Sequence, residues 1–359
     1  MSSERVVLVI GAGGSVADCM RRHPTKRPPL DRGFFGTSLR MHGAQLRPVT
    51  DYLREHYGVH LKEARHDSLE QVMAVLYTDI YGGSVEEEAL KAFRILVKVF
   101  LVRLANTTND VAMTSRSKLY RFIAGFLNRG VEPEDLTIIT FNLDIQIEKA
   151  LDAIGSTKGR QDQRVFLFPH CYRINAKRGV TGPAPQVPQF RESEERDGGV
   201  TLLKLHGSLN WYSAHRWRNP SMSAIFDPRR RIGIVRGKAI DSAMRLSKAA
   251  GGGTRYTFPI VIPPVVHKSA ILHSELQPVW RLAEESLKAA DRIVILGYSC
   301  PSTDWESANL IGRALTANKR STEISVIDPN PGVLFRYVEL GELDAVSYFA
   351  SCDAYLKAE

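Results

Sequence analysis

Arg292-Ile293-Val294-Ile295-Leu296-Gly297-Tyr298-Ser299 is the stretch that decides the fold. Four apolar β-formers run straight into a glycine, so a strand is predicted over Arg292 to Leu296 with its turn at Gly297-Tyr298-Ser299. On one side, Glu275 to Ala290 carries apolar groups at helical spacing. On the other, Asp304 to Ala317 reads as helix. Glu323 to Ile327 then reads as a strand ending at Asp328-Pro329-Asn330. Strands and helices that alternate through short turns predict an α/β fold, a Rossmann-like parallel sheet with helices on both faces.

The same grammar appears earlier in the chain. Residues 5–10 read as a buried strand, and Gly11-Ala12-Gly13-Gly14-Ser15 as its turn into a helix. Leu136 to Thr140 is a second strand with a helix over Ile145 to Ile154, and Val200 to Leu205 a third. Between the first two strands the pattern is irregular from Arg21 to Gly43. It then turns helical, with a helical insertion expected at about 44–130. Leu69, Val72, Met73 and Leu76 share one helix face, as do Phe93, Leu96, Val97, Phe100, Leu101 and Leu104. Asp67-Ser68 offers an N-cap there and Gly82-Gly83 a stop. Residues 156–199 read as a mobile loop, with Pro183 to Pro188 and Glu192 to Gly199 its clearest parts. Pro228 to Gly253 is basic and Gly-rich and reads as a helix with a loose end. Phe258 to Ile262 reads as a strand.

The chain has 359 residues, 43% hydrophobic and 24% charged, as expected of a soluble globular protein that forms one large domain or two ordinary ones. No apolar run reaches the roughly 20 residues that span a bilayer, so no membrane partner is expected. The short apolar segment after Met1-Ser2-Ser3-Glu4-Arg5 lacks the features of a signal peptide, which leads to a cytoplasmic expectation. Cys19, Cys171, Cys300 and Cys352 form no Cys-x-x-Cys pair, which excludes a four-cysteine zinc ribbon, and no metal is expected. Net charge is +9, with basic residues gathered at Arg229-Arg230-Arg231, Arg236 and Lys238. Without interleaved aromatics this reads as a solvated basic face, and nucleic acid stays an indirect partner.

In an open α/β sheet the loops at the carboxyl ends of strands line the ligand crevice. The glycine turn brings Gly11, Ala12, Gly13 and Ser15 there, beside a helix N-terminus suited to phosphate. Asn142 and Asp144 follow the second strand in Thr140-Phe141-Asn142-Leu143-Asp144. Taken alone, Asp144 also suits an Asx turn that starts the next helix. His206 follows the third strand, and histidine transfers protons near neutral pH. Gly207 beside it allows close backbone approach, and Ser208 adds a hydroxyl. Gly297, Tyr298 and Ser299 could serve a phosphate or ribose. Asp328 and Asn330 could accept ribose hydroxyls, an acidic residue there favouring NAD over its 2′-phosphorylated form.

In order and type these segments resemble the sirtuin family. Phe141-Asn142-Leu143-Asp144 resembles the Gln-Asn-x-Asp motif of sirtuins, with Phe141 in place of Gln. Leu205-His206-Gly207-Ser208 resembles their catalytic His-Gly. The stretch Lys204 to Trp211 resembles above all the sirtuin-like proteins of bacterial antiphage systems. The zinc module and the Pro-Asp-Phe-Arg segment of protein-deacylating sirtuins are both missing. Arg32-Gly33-Phe34-Phe35-Gly36 and the helical insertion stand in that region.

The resemblance implies an NAD glycohydrolase, releasing nicotinamide and ADP-ribose, used as a triggered effector of antiphage defence. NAD is then the substrate. Asn142 would place the attacking water or the ribose hydroxyls, His206 would act as base or orient the ribose, and Asp144 would hold the nicotinamide side. The chain ends soon after the last recognised strand, so a homo-oligomer and a separate activator are expected, by family analogy a motor ATPase or an Argonaute-type protein. The alternatives are a non-hydrolytic NAD or ADP-ribose sensor and an NAD-dependent deacylase, the latter disfavoured by the missing zinc module.

Overall fold

A computed structural model describes residues 4–22, 28, 33–61, 68–82, 85–156, 165–168, 170–173, 198–215, 232–234, 247–248, 254–262, 276–301, 304–318, 322–343 and 345–359. The main sheet has six strands: β1 (Val6–Ile10), β2 (Leu136–Thr140), β3 (Thr201–Lys204), β8 (Arg292–Leu296), β9 (Glu323–Ile327) and β10 (Ser347–Phe349). Their spatial order is β10-β9-β8-β1-β2-β3, and every pairing is parallel. The chain works outward from β1 to one edge, returns to β8 and works outward to the other. The topological switch point therefore lies between β1 and β8, and the ligand crevice of such a sheet opens above it.

The strand sequences explain this arrangement. Val6 to Ile10 is 2% exposed or less throughout, because a parallel strand is covered on both faces and must be apolar on both. Each of those side chains contributes roughly 1.5–3 kcal/mol by burial. The covering helices are α1 (Ala12–Arg22), α5 (Lys118–Asn128), α6 (Gln146–Gly155), α7 (Gln277–Ala289), α8 (Trp305–Ala317), α9 (Gly332–Gly341) and α10 (Cys352–Ala358). They pack as two groups, α1, α5, α6 and α10 in one and α7, α8 and α9 in the other. Right-handed crossovers leading away from the centre in opposite directions put the groups on opposite faces, as expected from the sequence.

Between β1 and β2 stand α2 (Phe34–Tyr57), α3 (Leu69–Gly82) and α4 (Glu86–Thr108), followed by α5. The hydroxyl of Ser68 accepts the Gln71 N–H at 3.1 Å and so starts α3, while Asp67 and Gly83 lie outside the described residues. The carboxyl end of α4 is clamped to the start of α6. Gln146 Nε2 donates to the Thr108 carbonyl at 2.6 Å, and Lys149 Nζ reaches the carbonyls of Thr108, Asn109 and Val111.

The structure corrects three expectations. The stretch from Arg21 to Gly43 is not irregular throughout: α1 runs to Arg22 and α2 begins at Phe34. Gly33 takes the left-handed conformation that opens α2, and buried Phe34 and Phe35 anchor it. A break at His42 divides the helix, so the periodicity that begins at 44 marks only its second half.

Residues 228–253 do not form the expected helix where they are described. They supply β5 (Ile232–Ile234) and β6 (Ser247–Lys248) to a second, antiparallel sheet of order β5-β4-β7-β6. Its longer strands are β4 (Gly207–His215) and β7 (Thr254–Val261). Pairing along β4 and β7 decides the outcome there.

The sheet does not end at β9, since α9, β10 and α10 follow. Among the described residues no helix is long and apolar enough to cross a membrane. Pro183 to Pro188, Glu192 to Arg196, and the basic residues Arg229, Arg230, Arg231, Arg236 and Lys238 lie outside the described residues.

Candidate active site at the carboxyl edge of the sheet

The strands β1, β2, β3 and β8 end side by side, so their loops meet over the switch point. The β2 loop is stitched to its neighbours by backbone and side chain. Thr140 Oγ1 donates to the Ile10 carbonyl at 2.7 Å and accepts the Asn142 N–H at 3.1 Å. Leu209 N–H donates to the Leu143 carbonyl at 2.8 Å.

Within this frame three side chains form a directed relay. Asn142 Nδ2 donates to the Gly11 carbonyl at 2.9 Å and to Ser15 Oγ at 3.1 Å. Ser15 Oγ donates on to Asp144 Oδ1 at 3.2 Å, and that oxygen also accepts the Gln146 N–H at 2.9 Å. The Asx turn weighed for Asp144 is therefore present, and the same carboxylate serves the relay as well. Burial pushes the Asp144 carboxyl above its usual range. The Lys204 ammonium, the Gln146 N–H and the Ser15 hydroxyl pull the other way, and Glu148 adds to the rise.

Beneath the loop lies a polar group that sequence reasoning missed. Lys204 is wholly buried in β3. Its Nζ donates to the Asp144 carbonyl and, at 2.8 Å, to Glu148 Oε1. Tyr172 Oη donates to the same Glu148 oxygen at 3.0 Å and accepts Asn210 Nδ2 at 3.0 Å. A lysine at the end of a fully buried parallel strand is the signal that could have found this group, because a charge there needs a built partner.

His206 follows β3 and lies in an aromatic frame. Its ring centroid is 5.3 Å from Phe141 and 6.1 Å from Trp280, and Phe141 stacks on Tyr298 at 4.2 Å. Trp280 Nε1 donates to the Leu205 carbonyl at 2.9 Å, which fixes that wall. His206 Nε2 is 3.8 Å from Asp304 Oδ1, and Tyr298 Oη donates to Asp304 Oδ2 at 2.9 Å. Gly207 has φ 79°, a left-handed conformation that favours glycine at the start of β4, while Ser208 is buried beneath it.

The glycine turn has an internal function as well. Gly11 N–H donates to the Leu296 carbonyl at 2.9 Å and Gly13 N–H to the Gly297 carbonyl at 3.0 Å. A Cβ at Gly11 would stand 2.4 Å from the Gly297 oxygen. The close approach these glycines permit is thus between the β1 and β8 loops.

Exposure divides the predicted residues. Asn142, Asp144 and His206 are 5–8% exposed, and Phe141, Ser15, Gly207, Ser208 and Tyr298 are also buried. Ala12, Gly13, Ser299 and Asn330 are exposed, with Gly297 and Asp328 half-buried. Asp328 Oδ1 accepts the Asn330 N–H at 2.8 Å, and Asn330 Oδ1 accepts the Gly332 N–H at 3.1 Å. The site therefore has a buried polar end under β2 and β3 and an open polar rim along β1, β8 and β9.

No family model matches this chain, and no curated protein matches it. Among solved structures it is similar to a Sir2 homologue in complex with NAD, at 15% identity over 99% of this chain and 88% of that one, with TM-score 0.42. It is also similar to a mutant Sir2 homologue in complex with ADP-ribose, at 14% identity over 99% and 90%, TM-score 0.42. A third is a mutant Sir2 homologue in complex with 2′-O-acetyl ADP-ribose, at 14% identity over 98% and 89%, TM-score 0.44.

Proposed function

We propose that the chain hydrolyses the bond between nicotinamide and ribose in NAD, at the carboxyl edge of its parallel sheet. The observation that carries this reading is the Asn142–Ser15–Asp144 relay at the loop after β2, where the ring of Phe141, next to Asn142 in sequence, lies 5.3 Å from that of His206. An elongated substrate with a reactive end and a polar adenosine end suits a crevice with a buried end and an open rim. Asp328 has a second oxygen for a ribose hydroxyl, and the N-terminus of α1 offers positive potential to phosphate.

The chemistry asks little of the protein beyond placement. The C1′–N bond breaks with its electron pair passing to the pyridinium nitrogen, so nicotinamide leaves neutral. Water oxygen bonds to C1′ and gives up a proton. Asn142 spends its amide hydrogens on Gly11 and Ser15, which aims its Oδ1 as an acceptor for the water or a ribose hydroxyl. His206 takes the proton. Asp144 holds the nicotinamide side through its link to Ser15. Apolar walls at Phe141, Tyr298 and Trp280 limit competing solvent, and holding the water in line is a positioning effect.

The biological reading rests on the Lys204 to Trp211 stretch, which resembles the sirtuin-like proteins of antiphage systems. It makes the chain a cytoplasmic effector that assembles with itself, answers to a separate activator and lowers cellular NAD when triggered. Incubation of purified chain with NAD, alone and with candidate activators, tests the activity by release of nicotinamide. Tight NAD binding with no turnover in any condition would favour the sensor reading. Release of O-acyl-ADP-ribose from an acylated peptide would favour the deacylase.

A further inference from the structure

Asp304 stands at the N-terminus of α8, where an aspartate ordinarily turns its carboxylate onto the first amides of its own helix. Here the side chain makes no such cap. The helix contact is left to the backbone, with Ala308 N–H donating to the Asp304 carbonyl at 3.0 Å. The carboxylate turns inward instead. It is 5% exposed, takes the Tyr298 hydroxyl at 2.9 Å on Oδ2 and presents Oδ1 to His206 Nε2 at 3.8 Å. Tyr298 is itself pinned, since its carbonyl accepts Tyr337 Oη at 2.7 Å and its ring stacks on Phe141. The carboxylate is thus aimed at an imidazole that has Phe141 and Trp280 as its ring neighbours.

We infer that Asp304 is a positioning residue for His206, keeping the imidazole in its Nε2–H tautomer so that Nδ1 is the nitrogen that accepts a proton. The inference deepens the proposed function and rests on it for the use to which Nδ1 is put. A buried carboxylate beside Nε2 favours the tautomer that donates to it. When Nδ1 accepts the proton from water, the ring gains a charge that the carboxylate offsets. The proton then leaves Nδ1 for solvent, so Asp304 is neither consumed nor protonated. Tyr298 orders the system: its hydroxyl donates to Oδ2, and Oδ1 is the oxygen turned towards the histidine.

This arrangement gives an unusual expectation for Asp304→Asn. The Tyr298 hydroxyl is a donor and selects the amide oxygen. The amide NH₂ then faces His206, so Nε2 must accept and the ring is driven to the Nδ1–H tautomer. Nitrogen-15 spectra of the histidine-labelled full chain, without substrate, read this directly, with the His206 signal identified by its loss in His206→Gln. The expected result is an Nε2–H pattern in the parent and an inverted pattern in Asp304→Asn, at closely similar melting temperatures. If Asp304→Asn does not fold, Tyr298→Phe releases the carboxylate and should move the His206 signal.

In an active preparation, Asp304→Asn should lower kcat by about 10²-fold or more, as a wrong tautomer does elsewhere, with KM little changed. Identical His206 spectra in parent and folded variant would overturn the inference. The spectra need no turnover, so an inverted pattern in a chain that never cleaves NAD would count against the proposed function and leave the pairing standing.

Discussion

Ser15 and Asn142, 127 residues apart in the chain, meet at 3.1 Å over the ends of β1 and β2, with the asparagine donating and the serine passing its own hydrogen to Asp144. One hydroxyl thus orients both an amide and a carboxylate. Ser15→Ala leaves Asn142 with Gly11 alone and Asp144 Oδ1 with the Gln146 amide alone. The cost should be about 1–3 kcal/mol of stability, as for other buried groups that lose a partner. Nicotinamide release should fall as well. Urea unfolding and a nicotinamide assay on the same preparation check both.

The β1 and β8 loops press so closely that Gly297 tolerates no side chain. Its φ is 59°, and an added Cβ would lie 2.6 Å from the Gly14 nitrogen. Gly297→Ala should therefore destabilise the chain by more than about 1–3 kcal/mol. Gly36, inside α2 with nothing within 4 Å, is the control. Gly36→Ala should stabilise by about 0.5–1 kcal/mol. Melting temperatures moving in opposite directions are the expected outcome, and a harmless Gly297→Ala would contradict the packing.

Lys204 and Glu148 form a buried pair, and removing one partner strands the other. Lys204→Met should cost about 3–5 kcal/mol and loosen the Asn142–Asp144 loop, whose carbonyl the ammonium holds. Adding Glu148→Gln should recover a large part of that stability. The double-mutant cycle by chemical denaturation measures the coupling; purely additive losses would mean that the pair does not interact.

The Asp144 carboxyl is raised chiefly by burial. A carboxyl held above its unfolded value binds its proton more tightly in the folded chain. The stability this confers is present below the unfolded pKa, about 3.9, and is lost as pH rises through the folded value. Asp144→Asn keeps an oxygen for Ser15 and Gln146 but has no proton to lose. The variant should therefore gain on the parent as pH climbs from about 4 towards neutrality. Unfolding free energies of both proteins across that range decide it, and a gap independent of pH would contradict the assignment.

The sequence makes the centre of the main sheet legible because β1 and β8, covered on both faces, are written as apolar runs, Val6 to Ile10 and Ile293 to Leu296. The turns at their carboxyl ends could be read for the same reason, since each run stops at a polar or glycine residue. Helix α2 was hidden in its first half by Gly33, Gly36 and Gly43, which read as breakers until the burial of Phe34 and Phe35 is known. Two-residue and three-residue strands such as β6 and β10 carry no periodicity to read; they exist because a neighbour pairs with them. In the candidate site, Asn142, Asp144 and His206 are proposed from their positions just past strand ends. Asp304 and Lys204 do not, because their chemistry depends on groups brought together only by folding: Tyr298 and His206 for the first, Glu148 and the Asp144 carbonyl for the second.

The most direct measurement is nicotinamide release from NAD by the purified full chain over a range of protein concentrations, for the parent, Asn142→Ala and His206→Ala. The parent should liberate nicotinamide and ADP-ribose in equal amounts. His206→Ala should be slower by roughly 10²–10⁴-fold, as expected when a general base is lost, and Asn142→Ala should also lose most of its rate. Release by His206→Ala as fast as by the parent would contradict the account.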